Sequence, residues 1–131
     1  MRLFFLLLIP GSLLSQAPDF KPVPHVQSVP LPHHVTSFQL DGRELTALHF
    51  DPLDMRPFWY PILGSQEISL TRMGHPHDPL THSHHNSVWI SHNSVNGLDF
   101  WGDQAKHQGR IIPVEVSHDG YEDSDSFASM R

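Results

Sequence analysis

The sequence predicts an all-β fold, an antiparallel β-sandwich-like domain, from three observations. Several short segments alternate apolar and polar side chains with the period of two that a half-buried strand shows. The dipeptides Asp41-Gly42 and Asn96-Gly97 favour tight turns. No window sustains the apolar stripe of an amphipathic helix. A sandwich needs enough strands to cover both of its faces and to protect its edges. The strands predicted here are too few for that, so we expect the chain to be an incomplete N-terminal part of a larger domain.

A β-hairpin is predicted around Asp41-Gly42. Residues 35–40 and 43–50 both alternate apolar and polar side chains on either side of this dipeptide. Asp-Gly suits the two central positions of a type I′ turn, where the backbone must adopt positive φ. We therefore expect two antiparallel strands here.

Further strands are predicted on both sides of the histidine-rich region. Segment 56–63 is aromatic and should break at Pro61. Segment 110–117 tolerates Pro113 only at a sheet edge or a bulge. In segment 86–92, Val88, Ile90 and His92 fall on one face. The segments are 56–63, 66–72, 86–92 and 110–117.

The N-terminal residues predict export. Arg2 precedes an apolar run, and the small residues Ser15 and Ala17 suit signal-peptidase recognition, so we interpret 1–17 as a signal peptide. The run is too short for a stable membrane span, and we expect a periplasmic or extracellular protein. Residues 18–34 are rich in proline and predict a linker. The β domain would then occupy 35–131.

Composition narrows the class of protein. The chain contains no cysteine, so disulfides cannot compensate for a small core. Its formal net charge is −6 and it shows no basic stripe, which argues against nucleic acid as a partner. A small molecule or a carbohydrate is the ligand class we expect.

Half of the histidines lie close together. Six of the twelve fall between His75 and His92. Imidazole is the commonest metal ligand, and it titrates near physiological pH. A turn from Asp78 to Thr81 would place four of these histidines on one side of a hairpin, close enough to share a metal ion. Those four are His75, His77, His82 and His84.

Three interpretations of this histidine region stay open. It could be an exposed polar loop, a site for a divalent transition metal, or a source of acid/base groups and hydrogen-bond donors for a polar ligand such as a sugar. Trp89, Phe100 and Trp101 form either a stacking platform or part of the core. Arg56 is either a substrate clamp or half of a structural salt bridge.

The order of several motifs resembles the bacterial PmoA-like family, also named methane oxygenase PmoA. The resemblance covers residues 35–117 and rests on segments 56–64, 70–72, 82–89, 95–101 and 109–112, together with His92. The family's usual run is Asp-His-Pro-His-His-Arg, and the corresponding residues 81–86 keep its three histidines but not its acid, proline or arginine. The resemblance implies a role for His82, His84 and His85.

The resemblance also implies the kind of protein to expect. Members of this family are longer than the present chain and are often exported, and we expect a sandwich similar to carbohydrate-active domains. Because this chain has only one short apolar segment, we expect an activity other than methane oxidation.

These observations give a set of candidate site residues without deciding whether the chain is an enzyme. The alternatives to a metal-binding or carbohydrate-active domain are a non-catalytic carbohydrate-binding module and an inactive fragment. The candidates are His84, His85 and Asp99 for catalysis, His82, His84 and His92 for a metal, and Arg56, Trp89, Asn96 and Trp101 for substrate binding.

Overall fold

Seven antiparallel strands form two sheets in the computed structural model, which describes residues 20–74, 80–103, 105–117 and 119–131. The larger sheet has the order β1-β2-β3-β4-β5, and β6 pairs with β7. No helix among the described residues could cross a bilayer. The predicted all-β, antiparallel class is confirmed. The strands are β1 (Val26–Leu31), β2 (Val35–Leu40), β3 (Arg43–His49), β4 (Phe58–Ile62), β5 (Val88–Trp89), β6 (Glu122–Asp123) and β7 (Ala128–Ser129).

The hairpin at Asp41-Gly42 is confirmed. Both residues have positive φ, 52° and 76°, as a type I′ turn requires. The register runs from Leu40↔Arg43 to Val35↔His49, with one irregularity after Phe38. The predicted strand bounds therefore agree with the structure to within one residue.

The prediction that 18–34 is a linker is wrong for Val26–Leu31, which forms β1. This strand pairs with β2 along its full length, and Pro30 lies opposite Thr36. Because β1 is the edge of the sheet, Pro30 can lack its backbone N–H without breaking the ladder. Proline content had suggested an unpaired segment, whereas the edge position makes it compatible with a strand.

The expected break at Pro61 is also wrong, because β4 continues through Pro61 to Ile62. The register between β3 and β4 shifts here, since Leu48 pairs with Trp59 while Thr46 pairs with Ile62. The irregularity accommodates a residue that has no N–H to donate.

The remaining strand predictions are wrong in extent. Segment 66–72 contributes only the isolated bridge Leu63↔Ser69. Its apolar side chains stay largely in contact with solvent, since Ile68 and Leu70 are 62% and 70% exposed. Segment 110–117 forms no strand, and Val114 is fully exposed. Within 86–92 only β5 is a strand.

Polar side chains occupy much of the interior. Thr36 and Ser37 are completely buried, and Ser28 is 3% exposed. Each has a partner: Tyr121 for Thr36, Glu44 for Ser37, and Asp123 for Ser28. Among the described residues the buried hydrophobic side chains are those of Ala47 and Phe58. These hydrogen bonds satisfy polar side chains that lie in the interior, where apolar side chains would otherwise form the core.

Two predictions lie outside the described residues. One is the signal peptide at 1–17. The other is the hairpin turn, because Asp78 and Pro79 belong to it and its first arm contains His75 and His77.

Candidate ligand-binding site

Three neighbouring histidines project from a tight turn that precedes β5. The backbone N–H of His85 donates to the carbonyl of His82 at 2.9 Å, and His82 has a φ of 48°. Gly74 lies beneath the turn, where its N–H donates to the carbonyl of His85 at 2.7 Å. A Cβ on Gly74 would lie 2.3 Å from the carbonyl oxygen of Ser83, so only glycine permits this approach. Segment 71–74 thus fixes the position of the turn.

The three imidazoles contact one another. Ring centroids are 4.5 Å apart for His84 and His85, 4.8 Å for His82 and His85, and 6.0 Å for His82 and His84. Within the described part of the chain, none of their ring nitrogens makes a hydrogen bond. The described part of the chain therefore leaves these nitrogens open to a ligand.

His85 stays neutral more readily than an ordinary histidine. Burial lowers its pKa, and the nearby His84, His82 and Arg72 lower it further by repelling the charged form. A neutral imidazole offers one N–H donor and one nitrogen acceptor. The site thus presents donor and acceptor groups near neutral pH.

Two tryptophans extend the histidine cluster into an aromatic wall. The ring of Trp89 lies 5.4 Å from His85 and 5.5 Å from Trp101, whose ring in turn lies 6.2 Å from His84. Trp101 is 43% exposed. The wall therefore includes a large aromatic side chain that is accessible from solvent, so Trp101 is not a core aromatic.

Arg56 holds the loop that carries Trp101. Its side chain is 2% exposed. The guanidinium donates to the carbonyls of Phe100, Trp101 and Gly102 at 3.1, 2.6 and 3.3 Å. Both Nη atoms also donate to Asp103 Oδ1, at 3.1 and 2.6 Å. This geometry corresponds to the structural salt bridge rather than to an open substrate clamp.

The charge of Arg56 is buried but compensated. Burial lowers the pKa of the guanidinium, and the carboxylates of Asp103 and Asp99 partly offset that effect. The guanidinium carbon also lies 5.9 Å from the centre of the Trp89 ring, a cation–π distance. Arg56 therefore connects the aromatic wall to the loop behind it.

Asp99 shapes the same loop. Its Oδ1 accepts hydrogen bonds from the backbone N–H groups of Trp101 and Gly102 at 2.7 and 3.2 Å. On the following residue, the ring of Phe100 packs so closely on Gly109 that a Cβ there would lie 2.4 Å from the ring. One carboxylate oxygen of Asp99 is thus committed to loop structure.

Two cavities open between the histidine turn and this loop. The outer cavity has a volume of about 360 Å³, and its lining includes His82, Ser83, His84, Asp99 and Asp103. The inner cavity is smaller and more enclosed, at about 170 Å³, and its lining includes Asp54, Arg56, Ser83, Asn86 and Asp103. Ser83 and Asp103 line both cavities, so the two adjoin.

The structure brings together most, but not all, of the predicted site residues. His82, His84 and Asp99 share the outer cavity, and His85, Trp89 and Trp101 form the adjoining ring contacts. His92 lines a different cavity with Trp101, and its Nδ1 accepts from the N–H of Ser94 at 3.1 Å. Asn96 occupies an exposed turn, with φ values of 52° and 80° at Asn96-Gly97.

The predicted metal ligands are not assembled in one place. His92 lies apart from the cavity that His82 and His84 line. Across the described ranges, no group of three or more histidine, aspartate or glutamate side chains is arranged to hold a metal ion.

Sequence reasoning missed several lining residues. Asp54, Ser83, Asn86 and Asp103 line the cavities although none of them was a candidate site residue. The available signal for Ser83 and Asn86 was their position within or beside the histidine run. Asp54 and Asp103 carried no local signal, because their place depends on a contact between segments far apart in the chain.

Comparison with known proteins identifies a family but no activity. A model described as a family of unknown function, DUF6807, matches residues 35–130, and the chain belongs to this family. No curated protein matches the chain. No solved structure matches it either.

Proposed function

We propose that this member of the DUF6807 family binds a neutral carbohydrate-like ligand through the histidine turn and the aromatic wall. The main support for the proposal is that a solvent-accessible indole lies beside imidazoles whose ring nitrogens make no hydrogen bond to a described residue. Trp101 is 43% exposed, its ring lies 6.2 Å from His84, and the outer cavity opens beside them.

Sugar chemistry suits these groups. The apolar face of a pyranose ring can pack against an indole, while its hydroxyls donate to or accept from imidazole nitrogens. Ligand sites commonly combine such an apolar surface with a few convergent polar groups. His82 and His84 supply those groups at the cavity, where no described residue occupies their ring nitrogens.

The charge of the cavity favours an uncharged ligand. Asp99 and Asp103 both line the outer cavity, and Asp103 is already neutralised by Arg56 at 2.6 Å. An anionic ligand would meet the remaining carboxylate of Asp99. A neutral polyol pays no such electrostatic penalty.

The sequence supports an exported setting for this activity. The apolar run after Arg2 and the small residues at Ser15 and Ala17 are typical of a signal peptide. The motif order that resembles the PmoA-like family likewise favours a role for His84 and His85. We therefore propose a periplasmic or extracellular sugar-binding domain.

Trp101→Ala tests the proposal. The full chain is titrated by calorimetry with glucose, galactose, mannose, cellobiose, maltose and lactose. We expect at least one sugar to bind, and the substitution to weaken binding about tenfold, or about 1.4 kcal/mol, because the stacking surface is lost. Phe127→Ala is the matched control, since Phe127 is a 53% exposed aromatic residue on the separate β6–β7 hairpin. Absence of sugar binding, or equal affinity of the Trp101 variant, would contradict the proposal.

A second candidate function is turnover of the bound sugar with His84 as general acid or base. The observation in its favour is that His84 and Asp99 line the same cavity while the ring nitrogens of His84 carry no hydrogen bond to a described residue. Release of 4-nitrophenol from 4-nitrophenyl glycosides measures this activity. Release that His84→Ala abolishes would support an enzyme, and binding without release would leave a binding module.

The metal prediction has its own test. Zn²⁺ is added to the purified chain while the melting temperature is followed, because an ion that binds only the folded state raises it. A rise that disappears in His84→Ala would support a divalent-metal site. An unchanged melting temperature would contradict it.

A further inference from the structure

We propose that the outer and inner cavities are two adjoining subsites of one site, so that the preferred ligand consists of two linked sugar rings rather than one. This inference rests on the proposed carbohydrate binding and goes beyond it by naming the ligand class. The main support for the inference is that Ser83 and Asp103 line both cavities.

Size supports one ring in each subsite. The inner cavity of about 170 Å³ is close to the volume of about 150 Å³ that admits a benzene molecule in a protein interior. It therefore has room for one six-membered ring, and because the cavity is open to solvent, the hydroxyl substituents of a pyranose can extend beyond it. The outer cavity, about 360 Å³, has room for a second ring with accompanying water.

The inner cavity carries carboxylate oxygens that have no hydrogen-bond donor among the described residues. The carboxylate of Asp54 is half-buried and makes no hydrogen bond or ion pair with the described residues. Asp103 receives both Arg56 Nη atoms on Oδ1, which leaves Oδ2 without a described donor. Half-buried carboxylates are normally hydrogen-bonded, and ligand hydroxyls are suitable donors to both.

The raised pKa of Asp54 is consistent with this role. Burial raises its pKa, the nearby Asp51 raises it further, and His49 and Arg110 partly offset the rise. Desolvation without a partner is unfavourable, and a ligand hydroxyl would relieve it. Arg56 cannot serve a ligand in the same way, because its donors already hold the 100–103 loop.

The apolar share of the inner cavity also suits a sugar. Leu53 and Met55 line it together with the polar groups. A pyranose has an apolar C–H surface and a polar rim, so both kinds of lining can be used at once. Uronic acids should be rejected, since their carboxylate would face Asp54.

The experiment compares each disaccharide with its own monosaccharide. Calorimetry on the full chain measures glucose against cellobiose and maltose, and galactose and glucose against lactose. We expect at least one disaccharide to bind about tenfold or more tightly than its component rings, because a second subsite adds contacts without a second loss of translational freedom. We expect Asp54→Asn to remove most of that advantage.

Glu115→Gln is the charge-matched control, because Glu115 is exposed and lines neither cavity. Circular dichroism establishes that each variant is folded. If monosaccharides and disaccharides bind the wild-type chain equally, or if Asp54→Asn keeps the full advantage, the two-subsite inference is overturned while sugar binding stands. If no sugar binds the wild-type chain at all, the proposed function itself fails.

Discussion

Replacing Arg56 by methionine should destabilise the fold and displace the loop that carries Trp101. Methionine fills a similar length but supplies no donor. Five hydrogen bonds of the guanidinium would be lost, three to backbone carbonyls and two to Asp103. Because the side chain is 2% exposed, water does not readily replace the lost hydrogen bonds.

The size of the loss follows from those contacts. The two shorter carbonyl bonds, to Phe100 and Trp101, come from a charged donor and contribute about 1.5 kcal/mol each at the lower end of the usual range. The ion pair adds less than a fully buried pair would, since the Asp103 side chain is 27% exposed. We therefore expect Arg56→Met to lower the free energy of unfolding by about 3–5 kcal/mol.

Urea unfolding followed by tryptophan fluorescence measures this difference, and Arg43→Met is the control. Arg43 pairs with Glu67 at 3.0 Å, but the two side chains are 60% and 63% exposed. An exposed pair contributes about 0–1 kcal/mol, so the control should change stability by no more than that. A loss below about 1 kcal/mol for Arg56→Met, or equal losses for both variants, would refute the assigned role of Arg56.

The other predictions concern packing and pH. Gly109→Ala should lower the free energy of unfolding by about 1–3 kcal/mol, because its Cβ would overlap the Phe100 ring; an unchanged thermal midpoint would contradict this. The pKa of His85 is lowered in the folded state, so its contribution to stability is present above the unfolded pKa of about 6.5 and is lost as the pH falls through the folded pKa. Relative to wild type, His85→Gln should therefore be more stable at about pH 5.5 than at about pH 8.5. The pKa of His25 is raised, chiefly by its hydrogen bond to Asp41, so its contribution is present below about pH 6.5 and is lost as the pH rises through the folded pKa. Relative to wild type, His25→Gln should therefore be more stable at about pH 8.5 than at about pH 5.5. The reverse trend, or no pH dependence, in either variant would contradict the assignment for that histidine.

Local backbone chemistry explains which elements could be predicted. The hairpin at Asp41-Gly42 depends on residues that tolerate positive φ and on alternation within a few neighbours, so the sequence contains all of its determinants. The Asn96-Gly97 turn is similar. β1 could not be predicted, because Pro30 is acceptable only at a sheet edge, and a local reading does not reveal which strand will lie at the edge.

Burial explains the strands that failed to form. Segment 66–72 has the alternation of a strand, yet Ile68 and Leu70 are mostly exposed. Alternation favours a strand only where one face meets another layer of the protein. Whether such a layer is present is a tertiary property.

The sequence by itself determined the all-β class, the turn at Asp41-Gly42 and the crowding of histidines around His84, because these depend on residue types and near neighbours. Only the tertiary structure decided that His92 lies in another cavity and that Arg56 supports a loop. It also brought Asp54 and Asp103, far apart along the chain, to one cavity. The physical reason is that a binding site forms where separate segments pack, and the hydrogen bonds and close contacts that fix their packing are not encoded in any one segment.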